Sequence, residues 1–76
     1  MNPQLYRLSL FEEAAGPLHK LSVEPEMLSA HIGKIVLALP LEMEEMMRPY
    51  LGSRISILRT DNANKSYLLR TISDQV

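Results

Sequence analysis

The side chains best suited to bind a metal or transfer protons are two histidines, His19 and His31, and three carboxylates, Glu42, Glu44 and Glu45. A protein metal site needs three or four ligands at a fixed geometry, but the histidines stand twelve positions apart and the chain has no cysteine. General acid–base catalysis needs two carboxyls in different environments that face one cleft, whereas these three fall on the solvent side of a predicted helix. The chain also contains neither a nucleophile elbow nor a glycine-rich phosphate loop. We therefore expect a protein that is not an enzyme, holds no metal or cofactor, and has no evident small-molecule substrate.

Positive charge is concentrated in the second part of the chain. Residues 1–45 carry three basic and seven acidic side chains, whereas residues 46–76 carry five basic and two acidic ones. Arginine on a strand surface can bind phosphate through two parallel hydrogen bonds. The candidate contacts to nucleic acid or to an acidic partner are Arg54, Arg70, Lys65 and Lys34. The other interpretation is ordinary solvated charge, and a net charge of only −1 favours a protein partner over nucleic acid.

A stripe of apolar side chains marks a predicted helix near residues 41–48, which follows Pro40. The stripe has the i, i+3, i+4, i+7 spacing of one helix face. It consists of Met43, Met46, Met47 and Tyr50. Methionine fills irregular cores and is also favoured on adaptable binding surfaces. The stripe is therefore either part of the core or a candidate protein interface, including a dimer interface.

Two stretches near the C-terminus, 54–60 and 66–72, have strand periodicity and are joined by turn-forming residues, which predicts a hairpin. The predicted register has three pairs: Ile57 with Leu69, Ile55 with Thr71, and Arg59 with Tyr67. Further strands are predicted at 18–23 and at 34–39. The second of these is apolar throughout, so we expect it to be buried on both faces. A short helix is predicted near 25–31 because a proline suits its first turn.

The N-terminal residues allow two interpretations. Residues 6–10 alternate apolar and polar side chains, which predicts a strand over about 5–11 that pairs with 18–23 through Leu8 opposite Leu21, with a loop between the two strands. Asn followed by Pro at the start, and Gly followed by Pro later, instead indicate a helix over residues 3–15. The sequence does not decide between a strand and a helix here.

An internal similarity links residues 26–33 to residues 45–52 at an offset of 19 positions. Three aligned positions are identical and three more are similar in kind. Each copy ends in a glycine, Gly33 or Gly52, and leads into an apolar strand. Because glycine accepts the left-handed conformation that often ends a helix, both copies are predicted to be short helices capped by glycine. Two copies do not make a repeat protein, and chance is the alternative explanation.

Length and composition predict one small globular domain over residues 1–76, with 73–76 as a frayed tail. Hydrophobic residues make up 46% of the chain, which is enough for a core. No cysteine is available to staple the fold, and small domains without staples often gain burial by self-association, so we expect a homodimer. The chain has no apolar run of membrane-spanning length and no signal-peptide pattern, so we expect no membrane partner and a cytoplasmic location.

The predicted fold class is α+β, with about five mostly antiparallel strands in a partly open barrel or curled sheet and one or two short helices. The methionine stripe is expected to pack on this sheet. Such a fold does not by itself determine function.

A proline that opens a helix, a glycine that closes the segment and two strand isoleucines form a further pattern. The pattern is Pro40-Leu41-Glu42-Met43, Gly52, Ile55 and Ile57. It is similar to the helix-to-strand half of AbrB-type swapped-hairpin DNA-binding domains, and it covers residues 33–72 at most. The resemblance implies a dimeric DNA-binding regulator with basic strand residues, a role that would suit Arg54 and Lys34.

The same pattern departs from the AbrB type at three places. The stretch from Gly33 to Pro40 is two residues longer than the short strand of that family, and Arg48 stands where the family usually has glycine. Residues 1–32 lie outside the resemblance. We therefore assign no family on this basis.

Taken together, these features do not identify a biochemical activity. The leading hypothesis is a small non-enzymatic interaction module that self-associates or joins a larger complex. The alternative is a nucleic-acid-binding domain, of AbrB-like or small-barrel type, that uses the basic residues of the C-terminal hairpin.

Overall fold

The computed structural model describes residues 5–72 and forms one sheet and one helical segment. The strands are β1 (Leu5–Tyr6), β2 (Glu13–Val23), β3 (Leu28–Ile32), β4 (Ile35–Leu39), β5 (Arg54–Arg59) and β6 (Tyr67–Thr71). The helical segment, Leu41–Tyr50, is a short α-helix, α1 (Glu44–Met47), between two 3-10 turns. The strand order is β1-β4-β3-β2-β5-β6, and only β1 and β4 are parallel. The fold is thus a small α+β domain with a mostly antiparallel, curled sheet that does not close into a barrel.

Strand β2 is the element that curls the sheet, because it changes partner along its length. Its first part, Glu13–Pro17, pairs with β5, and the part from Leu18 onward pairs with β3. The register with β3 shifts between Leu18 and Lys20, which is a β-bulge. Bulges bend the strand that carries them and increase its twist. β2 therefore turns a corner and joins the two halves of the sheet.

The core lies between the sheet and the helical segment. Its largest fully buried side chains are Leu8, Leu18, Leu28, Ile32, Leu37, Met47, Ile55 and Ile57. Leu21, Tyr50, Tyr67 and Leu69 pack against this cluster from its margin. On the other face of β3 and β4, small residues such as Ser29 and Ala38 are also buried. The prediction that 34–39 is a buried strand is confirmed for Ile35–Leu39, apart from the exposed Ile35.

The C-terminal hairpin agrees with the sequence prediction. β5 and β6 lie within 54–60 and 66–72, and all three predicted pairs are present in the observed register. Residues 18–23 form a strand as expected, although they are only the second half of β2. The predicted tail, 73–76, lies outside the described residues.

The helix predicted near 25–31 is wrong. Residues Leu28–Ile32 form β3, which is a central strand paired with both β2 and β4. Its side chains are buried on both faces except at the half-buried His31. Hydrogen bonds and burial on both sides outweigh the weak local preference for a helical turn after Pro25.

Both interpretations of the N-terminal residues are wrong within the described part of the chain. β1 contains only Leu5–Tyr6, and it pairs in parallel with β4, not with residues 18–23. The loop predicted before 18–23 is instead the first half of β2. Leu8 is buried in the core, and the chain turns directly after it. Neither a long strand nor a helix would allow that turn.

A candidate binding groove beside the sheet edge

Strand β6 forms one edge of the sheet, and its outer side carries main-chain groups that pair with no strand among residues 5–72. The Ile72 N–H donates to the Arg54 carbonyl at 2.9 Å, and the Thr60 N–H donates to the Ser66 carbonyl at 2.7 Å. In an antiparallel ladder, hydrogen-bonded pairs alternate with pairs that are not hydrogen-bonded to each other.

This alternation fixes the direction in which each residue of β6 points its main-chain groups. Even-numbered positions from 66 to 72 bond inward to β5. The N–H and C=O groups of Tyr67, Leu69 and Thr71 therefore point outward, away from the sheet. An extended chain placed along this side could form hydrogen bonds with three residues of β6, because their N–H and C=O groups are spaced as in a β-ladder.

A groove of about 650 Å³ runs beside this edge, between β6 and the helical segment. We call it the β6 groove. Its apolar lining comes from Met43 and Met46 on the helical side and from Tyr67 and Leu69 on the strand side. The loop that joins β5 to β6 closes one end. Charged side chains also line the groove, namely Glu42, Arg59 and, from the loop, Lys65.

The β5–β6 loop is held by hydrogen bonds within itself. The Thr60 hydroxyl donates to the Lys65 carbonyl at 2.5 Å. The Asn62 side-chain oxygen accepts hydrogen bonds from the N–H groups of Asn64, at 2.8 Å, and Lys65, at 3.3 Å. Such side-chain turns fix a loop without secondary structure. These hydrogen bonds therefore hold the loop in one conformation at the end of the β6 groove.

The four residues of the predicted methionine stripe have different environments. Met43 and Met47 are buried in the core, and Tyr50 is half-buried against it. Met46 is 45% exposed and lies in the wall of the β6 groove. The stripe is thus largely core, while Met43 and Met46 also line the groove.

The four candidate basic residues lie in different places, although Arg54 and Arg70 share one face of the β5–β6 hairpin. Arg54 pairs with Pro17 of β2, and the Gly33 N–H donates to the Pro17 carbonyl from the other side at 2.9 Å, so Lys34 lies near this end of β5. Lys65 belongs to the loop at the opposite end of β5. Arg70 projects from the middle of β6, where its guanidinium lies 3.7 Å from the Glu13 carboxylate.

The other face of the β6 edge carries a shallower hollow of about 310 Å³, here called the outer hollow. It is lined by Glu13, Ser56, Leu58, Leu68, Leu69 and Arg70. The Ser56 hydroxyl donates to the Glu13 carboxylate, which also faces Arg70. Sequence reasoning missed Glu13 because it assigned this residue to a loop, and only the pairing of β2 with β5 brings it to the hollow.

A tight turn from Ser9 to Glu12 presents two large apolar side chains to solvent. The Glu12 N–H donates to the Ser9 carbonyl at 2.9 Å, and Phe11 occupies the third position with a φ of 63°. This position normally takes glycine or asparagine, yet Phe11 is 64% exposed and Leu10 is exposed as well. Nothing in the local sequence predicts this turn.

Hydrogen bonds to the Glu12 carboxylate support the turn. The backbone N–H of Ser9 donates to it at 2.8 Å and the Tyr6 hydroxyl donates as well. These two bonds, the first more strongly, lower the pKa of Glu12, while the bond to Glu12 raises the pKa of Tyr6. The Arg59 guanidinium donates to the Leu8 carbonyl at 2.7 Å and fixes the chain before the turn.

The histidines and carboxylates do not come together in the part of the chain that the structure describes. His19 is exposed at the bulge of β2, and His31 is half-buried on β3 opposite Lys20. Among residues 5–72, no group of three or more His, Asp and Glu side chains is placed to hold a metal ion. Within the same residues, no helix has the length and apolar character needed to cross a bilayer.

The residues of the AbrB-type resemblance, 33–72, include β4, the helical segment, β5 and β6. Comparison of the chain with models of protein families, with curated proteins and with solved structures found no match. The resemblance therefore remains a prediction.

Proposed function

We propose that this chain is a non-enzymatic protein-interaction module that binds an extended segment of a protein partner by strand addition along β6. The observation that carries the proposal is the position of the β6 groove directly beside the outer side of β6, which pairs with no other strand of the described residues, 5–72. Peptide recognition by strand addition uses this combination, in which main-chain hydrogen bonds supply affinity and pockets beside the strand supply specificity.

The main-chain part of the interaction involves the outward groups of Tyr67, Leu69 and Thr71. Each would exchange hydrogen bonds with a facing residue of the added strand. β6 runs for five residues without a register shift against β5, so its outer side is a regular template. A partner segment of about five to seven residues would match the usual length of a strand.

The side-chain part follows from the alternation of residues in the added strand. Successive side chains of a strand point to opposite faces, so every second residue of the partner would enter the β6 groove and the others would cover the outer hollow. The groove offers Met43 and Met46, whose flexible thioether side chains adapt to different apolar partners. The outer hollow offers the exposed Leu68 beside the polar pair of Glu13 and Arg70. The chemistry of the lining thus favours a segment with apolar residues at alternate positions on the groove side.

The test is selection of peptides from a random heptapeptide library displayed on phage, with the domain immobilised at low density. We expect the enriched peptides to share alternating apolar positions. Binding of a synthetic enriched peptide should shift the amide NMR signals of Tyr67, Leu69 and Thr71 and the methyl signals of Met43 and Met46. Weak binding, with a dissociation constant of about 1 to 100 μM, is the expected range for a short unstructured segment, since ordering it opposes association.

Two lysine variants provide the matched comparison. Met46→Lys replaces part of the apolar wall of the β6 groove with a further charged side chain, and it should weaken peptide binding at least about tenfold, because an apolar side chain of the peptide could enter only by desolvating the ammonium. Leu51→Lys is the control, since Leu51 is exposed to a similar extent, 39% against 45%, but does not line the groove. Both variants should keep the stability of the parent domain.

Two outcomes would contradict the proposal. One is that enriched peptides bind equally to both lysine variants and leave the β6 amide signals unchanged. The other is that the domain binds a random oligonucleotide at low salt, with affinity that falls steeply as salt is added, and selects no peptides. That second result would favour the nucleic-acid alternative that rests on Arg54, Arg70, Lys65 and Lys34.

A further inference from the structure

We infer that the segment added to β6 is β6 of a second copy of the same chain, so that two sheets join edge to edge about a twofold axis at Leu69. This inference rests on the proposed function, because it uses the same outer side of β6, and it names the partner. Closed twofold dimers are the commonest form of self-association and need a surface that is complementary to itself.

The main-chain geometry meets that requirement. The outward-pointing residues Tyr67, Leu69 and Thr71 are placed symmetrically about Leu69. A second β6 related by a twofold axis runs antiparallel, with Leu69 facing Leu69 and each Tyr67 facing the Thr71 of the other copy. Each facing pair is of the hydrogen-bonded kind and exchanges two N–H···O=C bonds. Every outward donor and acceptor of β6 is then satisfied.

The side chains are compatible with the same register. On the groove side, Leu69 of the second copy lies next to Leu69, and its Thr71 lies next to Tyr67, so the second copy covers the apolar strand wall of the β6 groove. On the outer face, Arg70 lies opposite Leu68 of the other copy. Like charges directly opposite each other would oppose pairing, and this register has none. The Arg70 charge is already offset by Glu13 at 3.7 Å.

The β6 edge has few of the devices that prevent such pairing. Natural edge strands are protected by proline, by charged side chains and above all lysine, by a bulge or by very short length. β6 contains neither Pro nor Lys, keeps one register with β5 and is five residues long. Its one charged side chain, Arg70, faces Glu13 on the same sheet. Among residues 5–72 the opposite edge strand, β1, has two residues. β6 is therefore the longer edge of the described sheet, and its twofold pairing with a second β6 produces a closed pair and not an open fibre. The low net charge of −1 adds little repulsion between copies.

Sedimentation of the whole chain over a range of concentrations tests the pairing. The parent chain should sediment as a dimer that dissociates on dilution. Thr71→Pro removes an outward N–H and leaves the bonds between β5 and β6 in place, so the dimer dissociation constant should rise at least about tenfold. Thr71→Val keeps the N–H and the β-branched shape, and it should dimerise like the parent. Circular dichroism of each variant establishes that the fold is retained.

A single introduced cysteine tests the register, since the chain has none of its own. Facing hydrogen-bonded residues have Cα atoms about 5.5 Å apart, within the range that a disulfide spans. Leu69→Cys should therefore form a disulfide-linked dimer on mild oxidation. Thr71→Cys is the control, because the two copies of this residue would lie about 13 Å apart along the strands. It should stay unlinked under the same conditions.

The outcomes separate this inference from the proposed function. A parent chain that stays monomeric at millimolar concentration overturns the self-pairing, while peptides selected on the β6 groove would still support strand addition by another protein. A dimer that is unaffected by Thr71→Pro and is not linked by Leu69→Cys overturns the β6 register, because the contact must then lie elsewhere. A monomer that also selects no peptides overturns both.

Discussion

Residues 26–33 and 45–52 have a similar sequence pattern but different structures. The first contains β3, the central strand of the sheet, and the second contains the end of α1 and the 3-10 turn that follows it. Some aligned residues are equally buried in the two copies, and others are not. Leu28 and Met47 are both fully buried, whereas Ile32 is 1% exposed and its counterpart Leu51 is 39% exposed. The strand is buried on two faces, and the helical segment on only one.

The residues that differ between the two copies explain the two structures. Ala30 in the first copy is fully buried between Leu21 of β2 and Leu37 of β4. Its counterpart in the second copy is Pro49, which is exposed within the 3-10 turn. A central strand needs its N–H groups for the ladder on either side, and proline has none. The second copy therefore cannot take the position of the first in the sheet.

The two copies share the glycine at the end and a hydrogen bond from that glycine to β2. The Gly33 N–H donates to the Pro17 carbonyl at 2.9 Å, and the Gly52 N–H donates to the Leu18 carbonyl at 2.8 Å. Both copies are thus fixed to adjacent residues of β2, at the corner where this strand changes partner. The similarity in sequence is reflected in the turn and its attachment, and not in the element that precedes the turn.

Replacing Ala30 of the first copy by the proline of the second should have the largest effect on the free energy of unfolding. Ala30→Pro removes a ladder hydrogen bond and introduces a ring where there is no free space, so we expect a loss of about 4 kcal/mol or more in the free energy of unfolding. For a domain of this size that is most of the total stability. Urea denaturation followed by circular dichroism should show little or no folded protein at 25 °C.

The reciprocal change, Pro49→Ala, is the matched control. It should alter the free energy of unfolding by less than about 1 kcal/mol, since Pro49 is exposed and the main effect is on the unfolded chain. A folded Ala30→Pro variant of near-parent stability would show that the central position of β3 does not distinguish the two copies.

A second pair of substitutions compares the burial of the residue before each glycine. Ile32→Ala leaves a cavity in the core and should cost about 2 to 5 kcal/mol. Leu51→Ala at the aligned position should cost about 1 kcal/mol or less, because much of that side chain is already in water. Chemical denaturation of both variants gives the difference directly. Equal losses in the free energy of unfolding would contradict the difference in burial between Ile32 and Leu51.

These comparisons also show why the sequence predicted some elements and not others. The C-terminal hairpin and its register follow from period-two alternation around a turn, and the helical segment follows from the stripe after Pro40. Both signals are local. The sequence predicts a helical turn where β3 lies, because the strand is fixed by its pairing with β2 on one side and β4 on the other and not by its own residues. The sequence divides β2 into a loop and a strand, because its corner appears only when its two partners, β3 and β5, are known.

The difference between local sequence signals and long-range pairing also applies to the candidate site. The exposed Met46 and the strand residues beside it lie in elements that the sequence predicts, so the elements that line the groove could be anticipated. That the outer side of β6 has no partner among residues 5–72 is a property of the strand order and could not. Arg54, Lys65 and Arg70 belong to the hairpin that the sequence predicts, whereas Lys34 lies between β3 and β4. Lys34 and Lys65 lie near opposite ends of β5, and the binding role of these residues stays a prediction. Glu13 beside Arg70 depends on the same long-range pairing.

The glycines provide the smallest and most specific comparison. Gly33 has a φ of 58° and Gly52 a φ of 90°, and a side chain added at either position would meet no atom within 4 Å. A loss on replacement by L-alanine must then come from the backbone conformation, and we expect about 1 to 2 kcal/mol at each position. Chemical synthesis is practical for 76 residues, so D-alanine can be placed at the same sites. It favours positive φ and restricts the unfolded chain, and it should keep or raise the parent stability in both copies. If L-alanine and D-alanine were equally destabilising at position 33 but not at position 52, the two glycines would not have the same conformational role, and the resemblance between the copies would reduce to chance.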